Sequence, residues 1–394
     1  YKGEAAVCRV RFEPVAGPAD GRSPERAFAT IAAGVAALAN AGDVLCVGPG
    51  LYVEGDLGPA RSAPAAQPIV IRGDASGVST DDPPGAVRVV PPTGLPPEQT
   101  PGAAFRVLGR QGLVIEGFTI SGFRDAGVQV RSANVGGANS RDVTLRDLDV
   151  RDSRTGVDVY AEGLIVVERV TAIANSSSGI SVQSCATANA FGTCRGDPSG
   201  PVLPVLSNNR VGGNGAHGLF LRLAVNAVVQ NNVAYANAFT GITLRGAPDA
   251  LLVNNLVYRN GEEGIAVGSG FLDPTGPMDP TELASPNAIV LNNTLYENGQ
   301  WGLEIGNSFA ASPGAAVVNN IVAGNGASRL GIGVLNERGQ TEVRQPSVCN
   351  YVAGFNAVLD EYGPDTPRNA YDLRVDPLFV DPEGPDGIAG GELV

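Results

Sequence analysis

A parallel β-solenoid is the fold this sequence predicts, and three observations carry the prediction. Gly218-Leu-Phe-Leu, Gly241-Ile-Thr-Leu and Gly264-Ile-Ala-Val recur every 23 residues. The pairs Asn208-Asn209, Asn231-Asn232 and Asn254-Asn255 keep that period, and so do the single Asn214, Asn237 and Asn260. Each unit also holds two short runs of alternating apolar residues, and it is too short for a pair of helices. Alternate side chains of a strand face opposite ways, so Leu219 and Leu221 should turn inward while Phe220 and Arg222 turn outward. One such unit cannot bury its apolar side alone; stacked units bury a continuous core. The asparagines read as corner residues, because Asn tolerates left-handed backbone and its amide can bond to the equivalent Asn one coil away.

The elements follow in order. Cys8 to Phe12 alternates like an opening strand. Ser23-Pro24-Glu25 offers an N-cap, a proline at the first helical position and an acid in the first turn, which predicts a helix running to about Leu38 or Ala39 with Gly42 as its stop. A helix placed there caps the open end of the solenoid, where bare strand edges invite aggregation. Asp43 to Tyr52 reads as strand and turn, Ile69-Val-Ile and Val87-Arg-Val-Val as strands, and 57–67 and 74–85 as loops. From Phe105 the coils become regular, with Gly127, Gly156, Gly179, Gly218, Gly241, Gly264 and Gly302 each opening a strand. The steps from Gly179 to Gly218 and from Gly264 to Gly302 are 39 and 38 residues, so each of these coils carries an insertion. The chain is thus predicted as one domain over 1–394. Its parts are a first strand and capping helix in 1–43, coils in 44–336, insertions at 184–204 and 271–286, and irregular coils in 337–394. Insertions in a solenoid tend to build its binding side.

Composition sets limits on function. The formal net charge of -13 argues against a general nucleic-acid binder, which needs a basic face to meet phosphates. Lys2 is the only lysine, which excludes lysine-based catalysis in the body of the chain. No apolar run is long enough to span a bilayer, and the start at Tyr1 without a leader-like run reads as a mature or trimmed end. Five cysteines, one histidine and no CxxC spacing favour disulfides over a metal site. Cys8 with Cys46 and Cys185 with Cys194 are the expected bridges, leaving Cys349 as a thiol and implying an oxidising, secreted or cell-surface location.

Ser23-Pro-Glu-Arg-Ala-Phe-Ala-Thr-Ile, followed by Gly42-Asp-Val-Leu-Cys-Val-Gly-Pro-Gly-Leu-Tyr, resembles the entry of right-handed parallel β-helix proteins related to pectate lyases. Asn231-Asn-Val-Ala-Tyr-Ala-Asn with the following Gly-Ile-Thr-Leu is similar to their repeat. The right hand of the helix is what this resemblance implies. Function does not follow from it, since the fold hosts lyases, hydrolases, epimerases, adhesins and tailspikes. More narrowly, Gly215-Ala-His217-Gly-Leu-Phe-Leu resembles a coil of alginate (mannuronan) epimerases, in which an Arg-His-Gly-Phe sequence lines the cleft. Gly156-Val-Asp158-Val-Tyr160 sits where that family carries an Asp-Pro-His-Glu motif. Asp158 and His217 match; Tyr160 and Ala161 stand in place of the motif's His and Glu, and Ala216 in place of the Arg.

Stacking at about 4.8 Å turns equivalent outward positions into columns. Two residues after each glycine the column reads Gln129, Asp158, Ser181, Phe220, Thr243, Ala266, Glu304; four after, it reads Arg131, Tyr160, Gln183, Arg222, Arg245, Gly268, Gly306. One before, it reads Ala126, Thr155, Ser178, His217, Thr240, Glu263, Trp301. Asp158, Tyr160, His217 and Arg222 are the expected catalytic set, and Arg131, Gln183, Phe220, Arg245, Glu263, Trp301 and Glu304 the expected sugar-binding set. Arginine can neutralise a uronate carboxylate, Tyr or His can move protons, and aromatic rings can stack on sugars. The bland alternative is that an outward position is polar because it meets water. Asp273, Asp279 and Glu282 offer hard oxygens for Ca²⁺ at a spacing that matches no rigid loop motif; otherwise no cofactor is expected. Two functions remain. One is an extracellular protein binding an extended polysaccharide, acidic or neutral, as a polyuronate lyase or epimerase or as a binder alone. The other is a non-catalytic surface, adhesive or filament-forming structural rod, with self-association among its expected contacts.

Overall fold

The computed structural model describes residues 7–11, 19–131, 139–184, 202–268, 284–306, 312–326, 334–336, 351–354 and 373–374. Two compact units, Tyr1–Arg210 and Val211–Val394, divide the chain. Both are built from parallel strands arranged in three sheets that each coil visits in turn.

In the first unit the first sheet joins Val7–Val10, Val44–Val47, Ile69–Gly73, Gln111–Glu116, Arg141–Arg146, the later part of Thr155–Glu168, and Val202–Ser207. The second joins Gly50–Val53, Val87–Val90, Thr119–Ser121, Asp149–Arg151 and Thr171–Ile173. The third joins Ala103–Leu108, Ala126–Arg131, the early part of Thr155–Glu168, and Ile180–Ser184. In the second unit Leu219–Arg222, Ile242–Arg245, Ile265–Val267, Leu303–Ile305 and Val334–Asn336 pair in one sheet. Val228–Gln230, Leu251–Val253, Ile289–Leu291 and Ala316–Val318 form the next, and Val233–Tyr235, Leu256–Tyr258, Thr294–Tyr296 and Asn320–Ala323 continue into the third.

Alternation decides what lies inside. Leu219, Leu221, Ile242, Leu244, Ile265, Val267, Leu303 and Ile305 are fully buried, whereas Phe220 and Arg222 stand half-buried on the outer side. The corners follow from the paired asparagines, which divide the task. Asn231, Asn254, Asn292 and Asn319 take left-handed backbone, with φ between 55° and 59°. The next residues, Asn232, Asn255, Asn293 and Asn320, are buried and form a ladder. Asn255 Oδ1 accepts from both the backbone N–H and the Nδ2 of Asn232 at 3.0 Å. Asn255 in turn donates both groups to Asn293 Oδ1 at 2.9 Å. That step spans 38 residues, so the 271–286 insertion leaves the ladder unbroken. Asn214, Asn237, Asn260, Asn298 and Asn325 form a second ladder of the same kind.

The expected N-terminal helix is shorter than the sequence suggests. Ser23-Pro24 starts only a 3-10 turn, Pro24–Arg26. Ala27 is extended and Phe28 bridges to Val10, so pairing with the opening strand wins over the helix signal there. The α-helix is Ile31–Ala36, capped by Thr30 Oγ1, and the Glu54 carboxylate accepts from the N–H groups of Ile31 and Ala32. The Cys8–Cys46 bridge also meets an obstacle in the register: Cys8 pairs with Leu45, and Arg9 with Cys46. The two cysteines are therefore one residue out of step, not the opposed pair that a bridge between these strands asks for. Cys185, Cys194 and Cys349 lie outside the described residues, as do Asp273, Asp279, Glu282 and most of the two insertions and of 337–394. Among the described residues no helix is long and apolar enough to cross a membrane.

Candidate functional site

The expected site residues fall into two groups, one in each unit. In the first unit, strand Ala126–Arg131 pairs with the start of Thr155–Glu168, which pairs with Ile180–Ser184. The outward positions of these strands form a closed polar cluster. Arg131 is ion-paired with Asp158, and its guanidinium carbon lies 3.9 Å from the centre of the Tyr160 ring. Gln183, in register with Tyr160, donates from Nε2 to the Tyr160 hydroxyl at 2.7 Å and to Ser181 Oγ at 3.2 Å. Asp158 and Arg131 therefore answer each other's charge, a pairing that outward alternation alone does not disclose.

The second group lies on the outer side of strands Leu219–Arg222, Ile242–Arg245, Ile265–Val267 and Leu303–Ile305. Phe220, Thr243, Ala266 and Glu304 stand in register across the four strands, and Arg222 is in register with Arg245. Two arginines on neighbouring strands, about 4.8 Å apart at the backbone, bring two like charges side by side on a chain of net charge -13. Beyond Arg245 the same column continues as Gly268 and Gly306, which leave it bare of side chains.

His217 sits near Arg245. Its ring stacks on Phe220, with centroids 5.3 Å apart, and meets Phe239 edge-on at 5.7 Å. Its Nδ1 lies 3.1 Å from Thr243 Oγ1 on the neighbouring strand. Burial, reinforced by the nearby Arg245 charge, pushes the imidazole down to about 4, so at neutral pH it is uncharged and keeps a lone pair. One coil further along, Thr240 Oγ1 donates to Glu263 Oε2 at 2.6 Å. Glu263 is 7% exposed, and burial holds its carboxyl above the usual carboxylate range, against the pull of the Thr240 hydroxyl and its own backbone N–H. Glu262 is raised as well, by burial and then by the charge of Glu263. Trp301 follows Glu263 in the same column, its backbone carbonyl accepting from Gly264 N at 2.8 Å; its indole Nε1 is buried with no hydrogen-bond partner among the described residues. Glu304 is buried on the strand beside Ala266.

Sequence reasoning missed Phe239, Thr240, Thr243 and Glu262. The two threonines carried a signal: they occupy the coil between His217 and Glu263 in the very columns that held the candidates. Phe239 precedes its strand at a corner, where no alternation marks it. Among the described residues no group of three or more His, Cys, Asp or Glu gathers to hold a metal.

A family model described as "Right handed beta helix region" matches residues 155–348. No curated protein matches the sequence. Among solved structures, a lacto-N-biosidase from Eubacterium ramulus superposes with a TM-score of 0.61 at 13% identity, over 93% of this chain and 67% of that one. A rhamnogalacturonan lyase does so with a TM-score of 0.50 at 15% identity, over 86% and 84% of the two chains. A periplasmic alginate epimerase gives 0.50 at 15%, over 86% and 78%. At such identities the likeness is one of fold, and it agrees with the parallel coils of this chain. This chain is a right-handed parallel β-helix of the kind seen in those carbohydrate-acting enzymes.

Proposed function

We propose that the second unit binds a uronate-containing polysaccharide on the outer side of strands Leu219–Arg222 and Ile242–Arg245. The observation that carries this reading is the in-register pair Arg222 and Arg245, two guanidinium groups side by side, with Arg245 near a neutral imidazole. A sugar carboxylate is a group that two adjacent guanidinium groups attract, and the planar fork of arginine suits bidentate pairing. The exposed Phe239 and the half-buried Phe220 and Trp301 offer apolar faces for the sugar rings on either side. His217 stands where it would accept the hydrogen from the carbon next to that carboxylate, the first step of either elimination or epimerisation. Solved β-helices that act on rhamnogalacturonan and alginate lend the reading weight. On this reading the protein works outside the cytoplasm, where such polymers occur.

The non-catalytic reading draws on one observation. Arg131, Asp158, Tyr160 and Gln183 are occupied with one another, as the side chains of a purely structural face would be. A binding screen separates the two. Polygalacturonate, polymannuronate and neutral glucans are presented to the protein and to its Arg222→Ala/Arg245→Ala variant. The expected result is retention of a uronate polymer by the parent and a loss of at least about tenfold in affinity in the variant, as for two charge-assisted contacts. Equal binding by both proteins, or concentration-dependent self-assembly with no polymer retained, overturns the proposal.

A further inference from the structure

The two threonines of the middle coil give the face a chemical direction. Thr243 reaches back to His217 at 3.1 Å, and Thr240 holds Glu263, from the other side, at 2.6 Å. The histidine and the glutamate start two coils apart, about 9.6 Å at the backbone, yet both lean onto the coil between them. Within one coil these two columns converge, since the rings of His217 and Phe220 are 5.3 Å apart. A base and an acid are thus both drawn onto the coil that carries Thr240 and Thr243, beside Arg245.

We propose that His217 and Glu263 are a proton-transfer pair that makes this face a lyase site, an inference that rests on the uronate reading above. Nδ1 of His217 is engaged by Thr243, which leaves Nε2 for the substrate. Nε2 takes the hydrogen from the carbon next to the carboxylate, while Arg222 and Arg245 hold that carboxylate and stabilise the charge it gathers. The electron pair of the broken C–H bond forms a double bond to the neighbouring carbon. The bond from that carbon to the glycosidic oxygen breaks, and Glu263 gives its carboxyl hydrogen to the departing oxygen. Imidazolium and carboxylate then exchange a proton with water to restore the start. An epimerase returns a hydrogen to the same carbon and has no use for a donor to the leaving oxygen. Where the Glu263 hydrogen goes, to the departing oxygen or back to the carbon, decides between the two chemistries.

The groups set opposite limits in pH. The base must be neutral, which holds above about 4 for His217 with the site empty. The acid must be protonated, which favours pH below the raised range of Glu263. Arg245 faces the histidine, and Glu262 and Thr240 lie against the glutamate. A bound carboxylate offsets the Arg245 charge, so binding raises the histidine and strengthens it as a base.

The test uses the full chain with polygalacturonate and polymannuronate. Binding is measured first, then ultraviolet-absorbing unsaturated ends and hydrogen exchange in deuterated water. Expected results are cleavage on an acidic bell-shaped pH profile and a loss of at least about 100-fold in turnover in Glu263→Gln, with affinity held within about threefold. Thr240→Val, which keeps the carboxyl but removes its hold, should move the alkaline limb of the profile. The chain has a single histidine, so its imidazole NMR signals need no assignment. In Glu263→Gln saturated with oligogalacturonate its titration should move up by about one pH unit. Cleavage undiminished in Glu263→Gln overturns the pair, as does deuterium uptake without cleavage. Polymer that binds but neither exchanges nor breaks overturns it too, leaving the binding proposal standing. No binding at all removes the uronate reading itself.

Discussion

At the scale of single residues, the adjacent asparagines of one corner carry separable loads. Asn254 is exposed and serves by its left-handed φ of 56°, which glycine adopts without strain. Asn255 is 2% exposed and serves by its amide. Asn254→Gly should therefore change stability by no more than about 0.5 kcal/mol. Asn255→Ala leaves the buried N–H and Nδ2 of Asn232 without their acceptor and should cost about 2–4 kcal/mol. Urea denaturation of the two variants reads the difference, and equal costs would refute the division of labour. These corners were legible because Asn advertises left-handed backbone. The next corner was not: Ala236, Arg259 and Glu297 also take positive φ, at 50–52°, and nothing in their chemistry announces it. His217 makes a second residue-scale prediction. Its folded value lies near 4 and its unfolded value near 6.5, so between these limits the unfolded chain binds more protons. Stability should rise with pH across that window, and His217→Gln should flatten this part of the profile.

At the scale of elements, the strands were legible and the helix was only half so. Alternation identified the inward Leu219 and Leu221 and the outward Phe220 and Arg222, because a strand on a narrow core has no other arrangement. The helix signal at Ser23 lost to the pairing of Phe28 with Val10, a contact between distant residues that local capping rules cannot see. Likewise the columns found the face of Arg131 and Asp158 but not their mutual ion pair, since alternation tells which way a side chain points and not what it meets. Gly34 of helix Ile31–Ala36 tests how tightly this cap is seated. A Cβ there would lie 2.6 Å from Leu45 Cδ1 and 2.7 Å from Val10 Cγ2, both on fully buried residues. Alanine gains about 1 kcal/mol of helix propensity, but overpacking of this kind costs about 1–3 kcal/mol. Gly34→Ala should thus destabilise in thermal melts, and adding Leu45→Val should restore part of the loss. A stabilised Gly34→Ala would mean that the helix does not press on these strands.

At the scale of the whole molecule, the net charge of -13 and the arginine pair pull a polyanion in opposite directions. The repulsion is spread over the surface and acts at long range, whereas Arg222 and Arg245 act at contact. Salt removes long-range terms first: the screening length is about 30 Å at 0.01 M and about 10 Å at 0.1 M. A protein that binds polyanions through a broad basic face loses affinity steadily as salt rises, because each neutralised charge releases a counterion. Here the first additions of salt should weaken the general repulsion more than the local pairing. Affinity for a uronate polymer should hold level or increase up to about 0.1 M salt, then fall with a shallow slope that reflects the two arginines. The Arg222→Ala/Arg245→Ala variant should keep the rise and lose the fall. Calorimetric titrations over this range read both slopes. A steep fall from the lowest salt onward would mean that the polymer is held by a wide basic surface elsewhere, and the arginine pair would no longer be its seat.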